Sequence, residues 1–201
     1  MKALFYDTET TGLPLFKEPS EDPRQPHLVQ LAATLVDLDT RKTIASLDVI
    51  CRPSGWTIPE EIAVIHGITT ERARDVGVSE SLAVELFLEL WTNCAVRVAH
   101  NEPFDARIVR IALKRHNGKI GRDPDQWKAA PAECTQRLAT PILKLPPTAK
   151  MLAAGFNKHK SANLAEAYKF FTGTDLQDAH SALADVQACM AVYFAIKGAP
   201  Y

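Results

Sequence analysis

Two acids mark the first place where this chain could do chemistry. Asp7 and Glu9 close an apolar run, Ala3-Leu4-Phe5-Tyr6, within the stretch Lys2 to Pro14. Strand side chains alternate between faces, so residues two apart point the same way. Asp7 and Glu9 therefore share a face, at the end of a strand that reads as buried on both sides. Carboxylates held together with little solvent repel each other, and a cation relieves the repulsion. Oxygen ligands of this type suit a hard divalent ion, magnesium or manganese. A solvated strand end that carries two acids is the competing reading, and this stretch alone leaves both open.

Three more acid or base candidates stand far away in sequence: Asp105, His180 and Asp185. Singly, each has an ordinary explanation as a helix cap, a helix-start residue or a surface acid. Asp105 shares a helical face with Ile108, Val109 and Ala112, which turns it toward the core or its edge. On a continuous helix, residues five apart are separated by about 140°. His180 and Asp185 could then hardly face one point. The spacing predicts His180 ahead of the regular helix, Ser181 near the N-cap and Asp185 inside it.

The elements that must position these residues alternate between strand and helix. After the first strand comes a long loop, Pro14 to Pro26, rich in proline and charge; loops of this length are often functional or mobile. His27 to Asp37 and Thr43 to Cys51 read as a hairpin. A helix is expected from Pro59 toward His66-Gly67, with Thr57 as a cap candidate. Ser79 to Trp91 has helical apolar spacing, Ala95 to Ala99 reads as a short strand, and Pro103 sits in the first turn of the next helix. On that helix Arg107, Arg110 and Lys114 form a stripe expected to face solvent, whereas Phe104 is expected in the core. Ala130 to Thr135 reads as a last strand, followed by a helix broken near Pro141. Ser161 opens a helix that stops at Gly173, and the final helix runs from Ser181 to Ile196. Such alternation predicts an α/β sheet with helices on its faces.

Composition narrows the classes. The chain has 201 residues, 46% hydrophobic and 23% charged, as expected of one globular domain with a sizeable core. A net charge of −1 gives no global basic signature, so any polyanion site must be local. Residues 134 to 165 contain no Asp or Glu but hold Arg137, Lys144, Lys150, Lys158 and Lys160, besides His159. A solvated loop region explains that bias, and so does a footprint for phosphates beside a nuclease site. Cys51, Cys94, Cys134 and Cys189 are widely spaced, which predicts reduced, buried thiols in a cytoplasmic protein and no zinc site. Neither a signal peptide nor a spanning helix is expected.

Taken together, Asp7-Thr-Glu-Thr-Thr-Gly12, His100-Asn-Glu-Pro-Phe-Asp105 and His180-Ser-Ala-Leu-Ala-Asp185 occur in order. They resemble the three motifs of the DEDDh group of 3′–5′ exonucleases, the DnaQ-like family with a ribonuclease H-like fold. Gly67, within Ile65-His-Gly-Ile-Thr69, is similar to that family as well. The likeness spans Asp7 to Asp185. It implies one exonuclease domain over residues 1–201, built on a mixed sheet of about five strands flanked by helices. The implied reaction is hydrolysis of the terminal phosphodiester of single-stranded or frayed DNA, releasing nucleoside 5′-monophosphates, in a setting such as proofreading or DNA repair. An RNA-trimming enzyme similar to oligoribonuclease or ribonuclease T is the alternative. A module that only binds nucleic acid is weaker, because all five functional residues are present.

The same resemblance assigns roles. Two cations, Mg2+ or Mn2+, roughly 3.5–4 Å apart, would clamp the attacking and leaving oxygens. Asp7 would bridge them, Glu9 and Asp185 would complete the nucleophile side, and Asp105 would hold the second ion through water. His180 would be the general base, a role suited to a side chain that titrates near neutrality. Thr8, Thr10 and Leu13 would grip and wedge the terminal nucleotide, Glu61 and His66 would contact it, and Asn101 would orient the second motif or the scissile strand. The implied partner is a nucleic acid 3′ end, DNA over RNA; a replication partner or a homodimer is left open. One further match, Gln187-Ala-Cys-Met190-Ala-Val-Tyr193-Phe194, has the spacing of a sliding-clamp-binding peptide. Met190 and Tyr193 lie on the apolar stripe of the last helix, so core packing is expected instead.

Overall fold

The computed structural model describes residues 1–177 and 180–198. Its strands and helices follow in the order β1 (Lys2–Thr10), β2 (Leu28–Asp37), β3 (Thr43–Ile50), α1 (Glu60–His66), α2 (Thr70–Val76), α3 (Glu80–Trp91), β4 (Val96–Ala99), α4 (Glu102–Arg115), α5 (Asn117–Ile120), α6 (Pro124–Ala129), β5 (Ala132–Cys134), α7 (Thr135–Leu143), α8 (Ala149–Ala153), α9 (Leu164–Thr172) and α10 (Ala182–Ile196). The five strands form one sheet in the order β3-β2-β1-β4-β5. β2 pairs antiparallel with β1 and β3, whereas β4 lies parallel to β1 and β5. This is a single α/β domain of the ribonuclease H-like type.

β1 is central, and its alternation divides the core. Leu4 and Tyr6 join Leu31, Ala33 and Leu35 under α3 and α4. Ala3 and Phe5 join Ala32 and Val36 under α10, where Phe5 packs edge-on against Tyr193 with ring centroids 5.2 Å apart. Burying one such side chain contributes about 1.5–3 kcal/mol. Val186, Cys189, Tyr193 and Phe194 are all buried on α10. Their burial fixes that helix firmly, even though its first turn brings an acid to the sheet. The clamp-like segment is thereby committed to the core.

Several expectations needed correction. Thr57 does not cap α1; the N-cap is Pro59, with no side-chain cap bond. Pro141 does not break its helix, for α7 continues through it to Leu143 and stops at Lys144, which is in the left-handed region. The helix expected from Ser161 starts at Leu164, after a full capping box of Asn163 and Glu166. α2, α5, α6 and α8 were not foreseen; each has seven residues or fewer, too short for periodicity to show.

The long loop is fastened rather than mobile. Gln25 is buried; it accepts from the Leu15 N–H (3.0 Å) and donates to the Pro19 carbonyl (2.8 Å). Arg107 donates to the Glu18 carbonyl, and Arg115 to those of Gln25 (2.8 Å) and Pro26 (3.0 Å). Arg107 of the supposed solvent stripe, together with Arg115, thus clamps this loop to α4. Their long side chains reach over the surface to carbonyls that helix periodicity cannot reveal.

Candidate active site

The strand alternation that splits the core also splits the acids. Asp7 and Glu9 follow Ala3 and Phe5 onto the α10 face, while Thr8 follows Leu4 and Tyr6 toward α4. The register of β1 against β2 shifts between Glu9 and Thr10, so regular pairing ends at the acids.

From the α4 side, Thr8 meets Asp105. The Thr8 N–H (3.0 Å) and Oγ1 (2.7 Å) both donate to Asp105 Oδ1. Asp105 is 2% exposed, so these bonds carry the desolvation of its carboxylate on one oxygen. Asn101 lies at the N-cap of α4 in the left-handed region, φ 66°, and turns the chain from β4 into the helix. Behind that turn, Glu102 Oε1 accepts from Tyr6 Oη (3.0 Å) and Arg97 Nε (2.7 Å). The Arg97 guanidinium in turn sits 4.2 Å from the Trp127 ring centroid. This buried network braces the first turn of α4, and sequence reasoning missed it. Its signal was Arg97, a charge inside an apolar strand.

From the other side, α10 brings Asp185. His180 precedes the helix with φ 69°, and Ser181 is the N-cap, as the spacing predicted. Ser181 makes no side-chain cap bond. Asp185 does that work, accepting the His180 N–H on Oδ2 (3.2 Å) while its own N–H donates to the Ser181 carbonyl (2.9 Å). Gln30 supplies a second cap across the sheet: its Oε1 accepts from the Ala182 N–H (3.4 Å) and its Nε2 donates to Asp48 Oδ1 (2.7 Å). Gln30 was also overlooked; an amide within the buried run of β2 was the available signal.

The electrostatics are those of an uncompensated acid cluster. Burial pushes the Asp7 carboxyl well above its usual range, and the charges of Asp105 and Asp185 push it further. Burial, then Asp7 and Asp185, raise Glu9 to about 8. Asp105 is raised by burial against the lowering effect of the Thr8 bonds, and Asp185 by burial against the His180 N–H. Among the described residues, none of the four is paired with a lysine or arginine. One candidate ligand atom from each of Glu9, His180 and Asp185 lies within 4.8 Å of the other two. Buried oxygens, an imidazole and no internal cation are a donor set that fits a divalent metal.

The remaining predicted residues spread around this cluster. Leu13 is 76% exposed on the loop after β1. The Thr10 hydroxyl donates to the Gly12 carbonyl (2.7 Å) and so shapes that turn. Both Thr8 donors are directed at Asp105. His66 is buried at the end of α1, which Gly67 terminates at φ 72°. Burial pulls its imidazole pKa down and the charge of His180 adds to this, against the raising effect of a backbone bond at Thr10. Glu61 is exposed near the start of α1, and no hydrogen bond or ion pair ties it to the acids. Asn101 is exposed beside the second motif. His100, two residues before Glu102, bonds through Nδ1 to Thr135 Oγ1 (2.9 Å) and through Nε2 to the Ala162 carbonyl (3.0 Å).

A family model described as Exonuclease matches residues 4–193. The chain belongs to the exonuclease family. Within this family it is of the DnaQ-like, DEDDh type. No curated protein matches it. Among solved structures, this exonuclease-family chain is similar to E. coli exonuclease I in complex with a dA16 oligonucleotide, at 21% identity and a TM-score of 0.71. That match covers 98% of this chain and 41% of the other. A product-bound exonuclease I matches at 22% identity and TM-score 0.70, covering 98% and 43%. Exonuclease I from Methylocaldum szegediense matches at 22% and 0.69, covering 98% and 40%. The chain thus spans about two fifths of the length of these proteins, and at such identities the likeness speaks for the fold.

Proposed function

We infer that this chain is a metal-dependent 3′–5′ exonuclease. Its substrate is single-stranded or frayed DNA, its products are nucleoside 5′-monophosphates, and its setting is proofreading or repair in the cytoplasm. One observation carries the reading: Glu9 and Asp185 gather with His180 within 4.8 Å, Asp7 and Asp105 are buried close enough for Asp105 to raise the pKa of Asp7, and among the described residues no lysine or arginine pairs with any of the four acids. The support for DNA is that a similar fold, E. coli exonuclease I, is known in complex with dA16.

Asp7, Glu9 and Asp185, with Asp105 through water on its Oδ2 side, would hold two Mg2+ or Mn2+ ions. When bound, such ions lower the pKa of water and offset charge on the phosphoryl and leaving oxygens. The chain's own residues do the rest. His180 takes the proton of the attacking water on a ring nitrogen as the oxygen bonds to phosphorus. The bond from phosphorus to the 3′-oxygen breaks, and the terminal nucleotide leaves with its 5′-phosphate. Thr8 holds Asp105 in position and lies beside the terminal nucleotide. Thr10 shapes the turn that presents Leu13, whose apolar side chain packs against the terminal base. His66, Asn101 and Glu61 border the same nucleotide.

Matched DNA and RNA oligonucleotides, labelled at the 3′ or the 5′ end, test this with magnesium and with manganese. The expected result is label released first from 3′ ends, faster from DNA, and none in EDTA. Markedly faster turnover of RNA would replace DNA as the substrate, and release from 5′ ends would end the proposal.

A further inference from the structure

Residues 145 to 160 form a lobe that the catalytic site leaves unexplained. The Lys160 N–H donates to the Leu145 carbonyl (3.1 Å) and closes its base. Inside lie α8 and a bend at Gly155, φ 78°. The lobe stands mostly in solvent. Phe156 is 63% exposed and Leu152 52%. Folding gains nothing from an exposed aromatic ring, so such a ring at the tip of a basic excursion is available for a ligand.

Its charge is one-sided. The chain has 24 acids, and none lies between 134 and 165. Of the basic residues there, Lys160 is paired with Glu166, whereas Lys144, Lys150 and Lys158 have no ion pair among the described residues. Lysines interleaved with an exposed aromatic ring match what a single strand offers, phosphates and base faces. An acidic protein would use the lysines and leave Phe156 without a role.

The lobe is rooted at the active site. Both chain segments leading into it end on one imidazole: His100 holds Thr135, the first residue of α7, and Ala162, two residues past the base. Thr135 also lies 3.5 Å from Cys189, and burial together with the charges of Asp7 and Asp105 pushes that thiol up. Two residues span at most about 7 Å, so the base of the lobe stands beside the second motif.

We propose that residues 145–160 are a binding arm for single-stranded nucleic acid, which carries the strand on the 5′ side of the scissile nucleotide. Lys144, Lys150 and Lys158 contact phosphates and Phe156 stacks on a base. This rests on the exonuclease reading for its direction, yet it is measured separately from cleavage.

The test compares wild type, the double variant Lys150→Ala/Lys158→Ala, and Phe156→Ala. Dissociation constants for labelled dT12 and dT3 are measured by fluorescence anisotropy in EDTA across a salt series. Hydrolysis of the p-nitrophenyl ester of thymidine 5′-monophosphate, which fills only the cleavage site, is measured with magnesium. The double variant is expected to weaken dT12 binding about tenfold and to flatten the slope of log K against log salt by about 1.4. Phe156→Ala is expected to weaken dT12 about tenfold at every salt concentration. Binding of dT3, ester hydrolysis and thermal unfolding should match wild type. Unchanged dT12 affinity and salt slope in both variants would overturn the arm, even with ester hydrolysis intact. A wild type that fails to cleave the ester would instead sink the exonuclease reading, and the dT12 constants would still judge the arm.

Discussion

Glu80 and Asp7 are both buried acids, and the chain treats them in opposite ways. Glu80 opens α3 at 5% exposure. It accepts from the Leu28 N–H (3.0 Å), Arg115 Nη1 (2.9 Å) and His116 Nε2 (2.9 Å), with His27 Nδ1 at 3.3 Å. Burial raises its pKa, but His116, His27, Arg115 and the Leu28 amide together outweigh that and hold it below the usual carboxylate range. Asp7 has acids for neighbours, and its pKa is driven up. This fold can neutralise a buried carboxylate where it needs an anchor. At Asp7, among the described residues, it supplies no such charge, which leaves the carboxyl to keep a proton or to take a cation from solution.

Neutral substitutions should separate the two sites most sharply. Asp7→Asn is expected to lower kcat by about 10³-fold or more, since metal-ion stabilisation is worth several kcal/mol. It should also raise the thermal midpoint of the metal-free protein, because one repelling charge is gone. A lower midpoint in calorimetry would break the contrast. Glu80→Ala should do the reverse and destabilise the fold by about 3 kcal/mol, because the half-buried Arg115, His116 and His27 lose their shared partner. Its kcat on a mononucleotide ester should stay near that of wild type, and a large fall there would blur the distinction.

Acidity offers the next test. Glu9 titrates at about 8 in the fold against 4.5 ordinarily, so between those values the folded chain keeps a proton that the unfolded chain has lost. Metal-free stability should therefore fall as pH rises from 4.5 to 8. Added magnesium should restore more stability at the upper end, where the carboxylates are free to bind it. Equal stabilisation by magnesium at both ends, in a thermal-shift series, would argue against cation binding by these acids. The smallest effect should come from Gln30→Ala, which removes one cap of α10. A loss of about 1 kcal/mol is expected, with faster amide exchange at Ala182. Unaltered exchange would show that Asp185 alone fixes the helix start.

Much of this contrast was legible before any coordinates. The period-two step from Asp7 to Glu9 and the non-helical five-residue step from His180 to Asp185 are local geometry, and local geometry is written in spacing. The parts that stayed hidden join residues far apart. The bonds from Thr8 to Asp105 were hidden because nothing in sequence reports that this partner lies 97 residues away. Arg107 looked solvated because its target is a loop carbonyl, and carbonyls carry no residue identity. Glu102 supports the site through Arg97 on β4, and Gln30 through the Ala182 N–H at the start of α10. Such contacts depend on tertiary pairing, which periodicity cannot encode.

The docking of α10 has a consequence during synthesis. Asp7 and Glu9 leave the ribosome long before Asp185, which reaches them only when α10 closes over Phe5. A nascent or truncated chain without α10 holds three of the four acids, lacks Asp185 and has no helix to fix His180 beside the sheet. It also exposes the apolar surface around Phe5 that chaperones and proteases recognise. Under the proposed function, the polypeptide could cut nucleic acid only once α10 has docked, and a chain that stops before that helix carries a mark for removal.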